Sequence, residues 1–161
     1  MYAFEVSTGS KPDLYRDILA AIDAITTREP DAIANMANAA AILWEYLPDL
    51  NWAGFYRNMR GELVLGPFMG KAACIRIPIG KGVCGAAAAT RETQLVEDVF
   101  AFPGHIACDA ASRSELVVPI LDGDRVVAVI DLDSPHPARF DADDAAGIEA
   151  IARMLSDRVN G

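Results

Sequence analysis

Apolar residues fall at helical intervals near both ends of the chain and at strand intervals through its middle. Ser10 can cap a helix whose first turn holds Pro12, and Tyr15, Ile18, Leu19, Ile22 and Ile25 follow on one face. Asp31 can cap a second helix, with Ile33, Met36, Ala37, Ala40, Trp44 and Leu47 as its apolar stripe and Pro48 as its stop. From Trp52 the period shortens. Trp52 to Tyr56 and Leu63 to Phe68 are apolar and aromatic runs joined by a turn at Asn58 to Gly61, which predicts an antiparallel hairpin. Cys74 to Ile77 predicts a further strand, Ala86 to Thr90 a short helix behind GKGVCG, and Gln94 to Val96 a short strand. Glu115 to Leu121 and Arg125 to Leu132 flank Asp122-Gly123-Asp124, a hairpin turn of the expected chemistry. Asp141, with Asp144 in a capping-box-like position, starts a last helix striped by Ile148, Ile151, Ala152, Leu155 and Val159.

The order helix, helix, strands, short helix, strands, helix predicts an α+β domain spanning residues 1–161, with a mostly antiparallel sheet and helices packed on one face. Segment 97–113, EDVFAFPGHIACDAASR, holds no sustained period. Loops this long inside a compact domain are functional or disordered. Its aromatic, His and Cys content argues against disorder, and the expectation is a loop that covers an enclosed pocket.

Composition narrows the function. A chain of 161 residues fits one domain of roughly 100 to 200 residues, and 52% apolar content supplies a core without disulfide or metal staples. A formal charge of -9 repels nucleic-acid backbones and anionic membranes. No apolar run approaches the ~18 residues that would span a bilayer, and MYAFEVSTGSKPD has neither a basic nor an apolar leader region, so the expectation is a cytoplasmic protein. There, an odd count of three cysteines leaves reactive thiols, metal ligands or buried spectators.

GKGVCG formally matches G-x-G-x-x-G, but Pro78 interrupts the preceding segment and the helix is too short for a βαβ unit, so a dinucleotide site does not fit. Cys84, near that helix N-terminus, is expected to have a lowered pKa. Cys74, Cys84, His105 and Cys108 lack the paired spacing of structural zinc ligands, and no metal is expected. An isolated thiol is most often a small buried hydrophobe, and Cys108 escapes that reading best because it lies in the long loop. His105 invites a Cys–His pairing, though a loop-bracing role is as natural. Glu115, Asp131 and Asp133 are acids on apolar strands, where charge is depleted, and the last two share one strand face. They form either a solvated face or a cluster that holds an ammonium group or a proton. Trp52 and Tyr56 also share a side, as core or as the wall of a small apolar pocket.

GPFMGKAACIRIPIGKGVCG, QLVEDVFAFPGHIACDAASRSELVVPI and AVIDLDSP closely resemble the free methionine-R-sulfoxide reductases, single-domain enzymes of the GAF fold. The similarity runs from about Leu50 to the last helix, and all three cysteines stand in matching contexts. The resemblance implies a thioredoxin-dependent homodimeric enzyme, with no bound cofactor, that reduces the R epimer of free methionine sulfoxide as part of an oxidative-stress response. It implies that Cys108 is the sulfur nucleophile, with Cys84 and Cys74 as resolving partners; some family assignments place the primary attack on the residue matching Cys84. It also implies that Trp52 and Tyr56 wall the substrate and that Glu115, Asp131 and Asp133 contact it. A sulfoxide sulfur is attacked by a thiolate when its oxygen is protonated or strongly hydrogen-bonded, so a partly protonated acid is expected in the pocket. The competing reading is a non-catalytic GAF-type sensor or binding module.

Overall fold

Caps and turns in the expected places set the element boundaries in the computed structural model, which describes residues 1–106 and 109–160. The Ser10 hydroxyl accepts from the Asp13 N–H and opens α1, Lys11–Thr26. Asp31 accepts from the Ala34 N–H and opens α2, Ala32–Tyr46. The hairpin β1, Trp52–Met59, and β2, Glu62–Gly70, closes through Arg60 and Gly61, both at positive φ as a two-residue turn requires. Then come β3, Arg76–Pro78; α3, Gly82–Thr90; β4, Gln94–Val96; β5, Ser114–Asp122; and β6, Arg125–Ser134. A 3₁₀ turn, Val99–Ala101, interrupts the long loop. A reciprocal Asp141/Asp144 capping box opens α4, Ala142–Leu155.

The strands form one antiparallel sheet in the order β3-β2-β1-β6-β5-β4. Side chains alternate across it, so β1, β5 and β6 each feed two cores. Ala53 and Phe55 of β1, Leu116, Val118 and Ile120 of β5, and Ile130 and Leu132 of β6 pack with Ile18, Ile22, Met36, Leu43, Ile148 and Ile151 of the three long helices. Trp52, Tyr56, Val117 and Val129 point the other way and meet Val83, Cys84, Ala87 and Ala88 of α3. The long helices thus share one face, and the short α3 lies on the other.

Two local readings shift. In α2, Ile33 and Ala37 are exposed, and the buried stripe contains Asn35 with Met36, Ala39, Ala40, Ile42 and Leu43. The Asn35 amide donates to the carbonyls of Glu29 and Arg158, which satisfies a polar group that the apolar pattern would have turned outward. Cys74 lies ahead of the β3 strand rather than within it. The chain there is instead tied to β2, where the Leu65 N–H donates to the Ile75 carbonyl.

Candidate active site

Register brings the candidate residues together. On the α3 side of the sheet, Trp52 of β1 stands opposite Asp133 of β6, and Asp133 stands opposite Glu115 of β5. One residue pair along the same face, Gly54, Asp131 and Val117 form the adjacent row. Cys84, in the first turn of α3, closes over these rows. Lys81, Val83, His105, Ile106, Asp109 and Ser112 complete the cleft with Cys84, Glu115, Asp131 and Asp133. Asp131 and Glu115 are 5% and 7% exposed, so the solvated-face reading of these acids is excluded.

Such burial controls the protons. Loss of water pushes the Glu115 and Asp133 carboxyls well above the usual range, and the Asp131 charge pushes both further. Asp131 itself is raised by burial to about 6, held down by hydrogen bonding from Cys84 and Glu115. The cluster therefore carries its negative charge first on Asp131 and keeps protons on its two neighbours. Directly opposed like charges on adjacent strands would otherwise repel.

Cys84 departs from expectation. Its thiol is buried, and burial followed by the charges of Asp131 and Glu115 pushes its pKa well above the ordinary thiol value. Its Sγ lies 4.0 Å from Glu115 Oε1. A helix N-terminus contributes only a partial charge, and complete desolvation among carboxyls outweighs it. The glycines of GKGVCG serve packing: a Cβ on Gly85 would lie 2.6 Å from the Pro78 carbonyl, and the Gly80 N–H donates to the Gly85 carbonyl at 2.8 Å. Cys108 lies outside the described residues. Cys74 is half-buried and is not free, and its carbonyl accepts from the Tyr56 hydroxyl at 3.0 Å.

Trp52 and Tyr56 do share a side, stacked with centroids 5.8 Å apart. Phe68 of β2 stacks on Trp52 from beyond at 5.2 Å and 12°. This third ring was not singled out in the sequence, although it ends the apolar run of β2; its position depends on a bulge that shifts the β1–β2 register past Gly54. The Trp52 indole N–H donates to the Lys71 carbonyl, so two of the aromatic residues anchor the segment that leads to Cys74. His105 braces the acids: its Nε2 lies 3.8 Å from Glu115 Oε2, and burial lowers its pKa toward the neutral ring. Asn51 was also missed. Its amide donates to Asp109 Oδ2 and to Ser112 Oγ, both at 3.0 Å, and so pins the loop to the start of β1.

A GAF domain model matches residues 22–159. The chain belongs to the GAF domain family. It is 45% identical over 146 residues to the free methionine-R-sulfoxide reductase of Escherichia coli, an alignment covering 91% of this chain and 88% of that one. Its fold superposes with a TM-score of 0.94 on the free methionine-R-sulfoxide reductase of Neisseria meningitidis in complex with its substrate, at 45% identity over 99% of this chain and 96% of that one. A putative GAF sensor protein from Burkholderia vietnamiensis is 53% identical, with a TM-score of 0.89 and coverage of 93% and 96%. In this GAF domain the buried acids and the aromatic wall stand on the sheet face opposite the long helices. No described helix is long and apolar enough to cross a membrane.

Proposed function

We propose that this GAF domain reduces free L-methionine-R-sulfoxide to L-methionine. The observation that carries the reading is a buried cluster of three carboxyls, whose burial favours their protonated forms, beside a stacked aromatic wall. Glu115 or Asp133 hydrogen-bonds the sulfoxide oxygen and donates its proton as the S–O bond breaks. Asp131, the most acidic of the three, holds the substrate ammonium. Trp52, Tyr56 and Phe68 receive the apolar side chain. A methionine within a polypeptide has no free ammonium to offer.

In this reading the Cys108 thiolate attacks sulfur. Oxygen passes from the substrate to the protein, releasing methionine and leaving a sulfenic acid on Cys108. A second thiol condenses with it, expelling water and forming a disulfide, which thioredoxin then reduces at the expense of its own dithiol. The raised pKa of Cys84 makes it a slow attacker and favours Cys74 as the resolving thiol. The homodimer implied by the resemblance belongs to the same proposal.

The decisive assay couples the reduced protein to thioredoxin, its reductase and NADPH, with the R and S epimers of free methionine sulfoxide supplied separately. NADPH consumption with the R epimer alone is expected, and Cys108→Ser abolishes it. Saturable binding of the sulfoxide without turnover would instead make the domain a binding module.

A further inference from the structure

One group of atoms in the cleft has the makings of a cation site. Cys84 Sγ and one carboxylate oxygen each from Glu115 and Asp131 all lie within 4.8 Å of one another, and all three residues are buried. Asp131 Oδ1 is buried and has no hydrogen-bond partner among the described residues, although Asp131 lines the cleft. A buried acceptor of this kind destabilises the fold unless something occupies it.

The geometry points to a site for a thiophilic divalent cation, with zinc as the natural occupant, held by Cys84, Glu115 and Asp131. Zinc bonds sulfur at about 2.3 Å and carboxylate oxygen at about 2.0 to 2.2 Å, so tetrahedral ligands stand roughly 3.2 to 3.7 Å apart. Spacings of up to 4.8 Å need a contraction of at most about 1.6 Å, within reach of side-chain rotation. A thiolate with two carboxylates selects zinc or cobalt over magnesium and calcium, which prefer all-oxygen shells. His105 lies outside this ligand set, with its Nε2 3.8 Å from Glu115 Oε2. The sequence could not suggest this set, because Cys84 meets Glu115 and Asp131 only through the register of β5 and β6 against α3.

Binding proceeds by proton displacement. The metal replaces the thiol proton of Cys84 and any proton on Glu115, and these pass to solvent as the new S–metal and O–metal bonds form. Two positive charges also relieve the repulsion among the acids. Affinity therefore rises with pH, and the bound ion occupies the acid-lined cleft that an incoming ligand would need.

The test uses reduced Cys74→Ser/Cys108→Ser protein, in which Cys84 is the sole thiol, titrated anaerobically with cobalt(II) and then zinc. The expected result is one metal per chain, with a sulfur-to-cobalt charge-transfer band that zinc bleaches. Adding Asp131→Asn weakens binding roughly tenfold or more, and adding Cys84→Ser removes the band. Circular dichroism confirms that each variant is folded. Absence of the band in folded Cys74→Ser/Cys108→Ser protein, or affinity indifferent to Asp131→Asn, overturns the proposal. A further arm rests on the reductase reading: zinc inhibits turnover in competition with methionine sulfoxide. A chain that binds cobalt through Cys84 but reduces no sulfoxide upholds the metal site and sinks that reading.

Discussion

Asp131 is where the proposed chemistry and stability pull in opposite directions. Its carboxyl ionises near 3.8 when unfolded and at about 6 in the folded protein. Between those values the folded chain holds a proton that the unfolded chain has lost, so stability falls as pH rises through the window and stays lower above it. Asp131→Asn keeps the shape and removes the charge. The variant is expected to be more stable than the parent at about pH 7.5, by on the order of 2 to 3 kcal/mol, with the gap closing toward about pH 4. Urea midpoints at the two pH values decide it; a variant no more stable at the higher pH would mean that the charge is not desolvated. Much of this site was legible residue by residue: the acids stood out on apolar strands, and even spacing put Asp131 with Asp133 and Trp52 with Tyr56 on shared faces. The protonation state of Cys84 was not. Local sequence exposes its helix position, whereas its burial comes from β5 and β6, which follow it in the chain.

At the scale of elements, β1 makes the aromatic wall by leaving a gap in it. Gly54 lies between Trp52 and Tyr56 on the cleft face, and a Cβ there would fall 2.4 Å from Phe68 Cβ and 2.8 Å from its Cα. The rings of Trp52 and Tyr56 on β1 and Phe68 on β2 can stack only because one position between them has no side chain. Gly54→Ala must push β2 away at the bulge and unstack Phe68 from Trp52. We expect a loss of about 1 to 3 kcal/mol by urea unfolding, with an unchanged m-value and an altered Trp emission maximum. An emission spectrum identical to the parent's would show that the rings do not depend on this gap. Helix caps and hairpin turns were readable from sequence because their chemistry is local: Ser10, Asp31 and Asp141 each bond a backbone N–H within three residues. The phase of α2 and the β1–β2 bulge were not, since both answer to partners far along the chain.

The whole molecule divides its labour across a single sheet. One face, closed by α1, α2 and α4, is almost wholly apolar and well suited to supply the stability. The other carries a desolvated acid cluster that weakens the fold at neutral pH and that, in the proposed reaction, supplies the proton donors. The N-termini of α1 and α4 are also locked together: buried Asp144 accepts from Lys11, Tyr15 and Arg139 at 2.6, 2.7 and 3.3 Å. Such a division predicts independence between the faces. Ile148 is fully buried in the helical layer, so Ile148→Ala should cost about 2 to 5 kcal/mol through lost packing. Asp131→Asn, across the sheet, should return part of that stability at neutral pH. Because the two side chains stand on opposite faces of the sheet, their effects should add within about 0.5 kcal/mol. Measured as a double-mutant cycle at about pH 7.5, a coupling near zero supports a site carried on an independently stable layer. A coupling above about 1 kcal/mol would show that the strands transmit strain between the two faces.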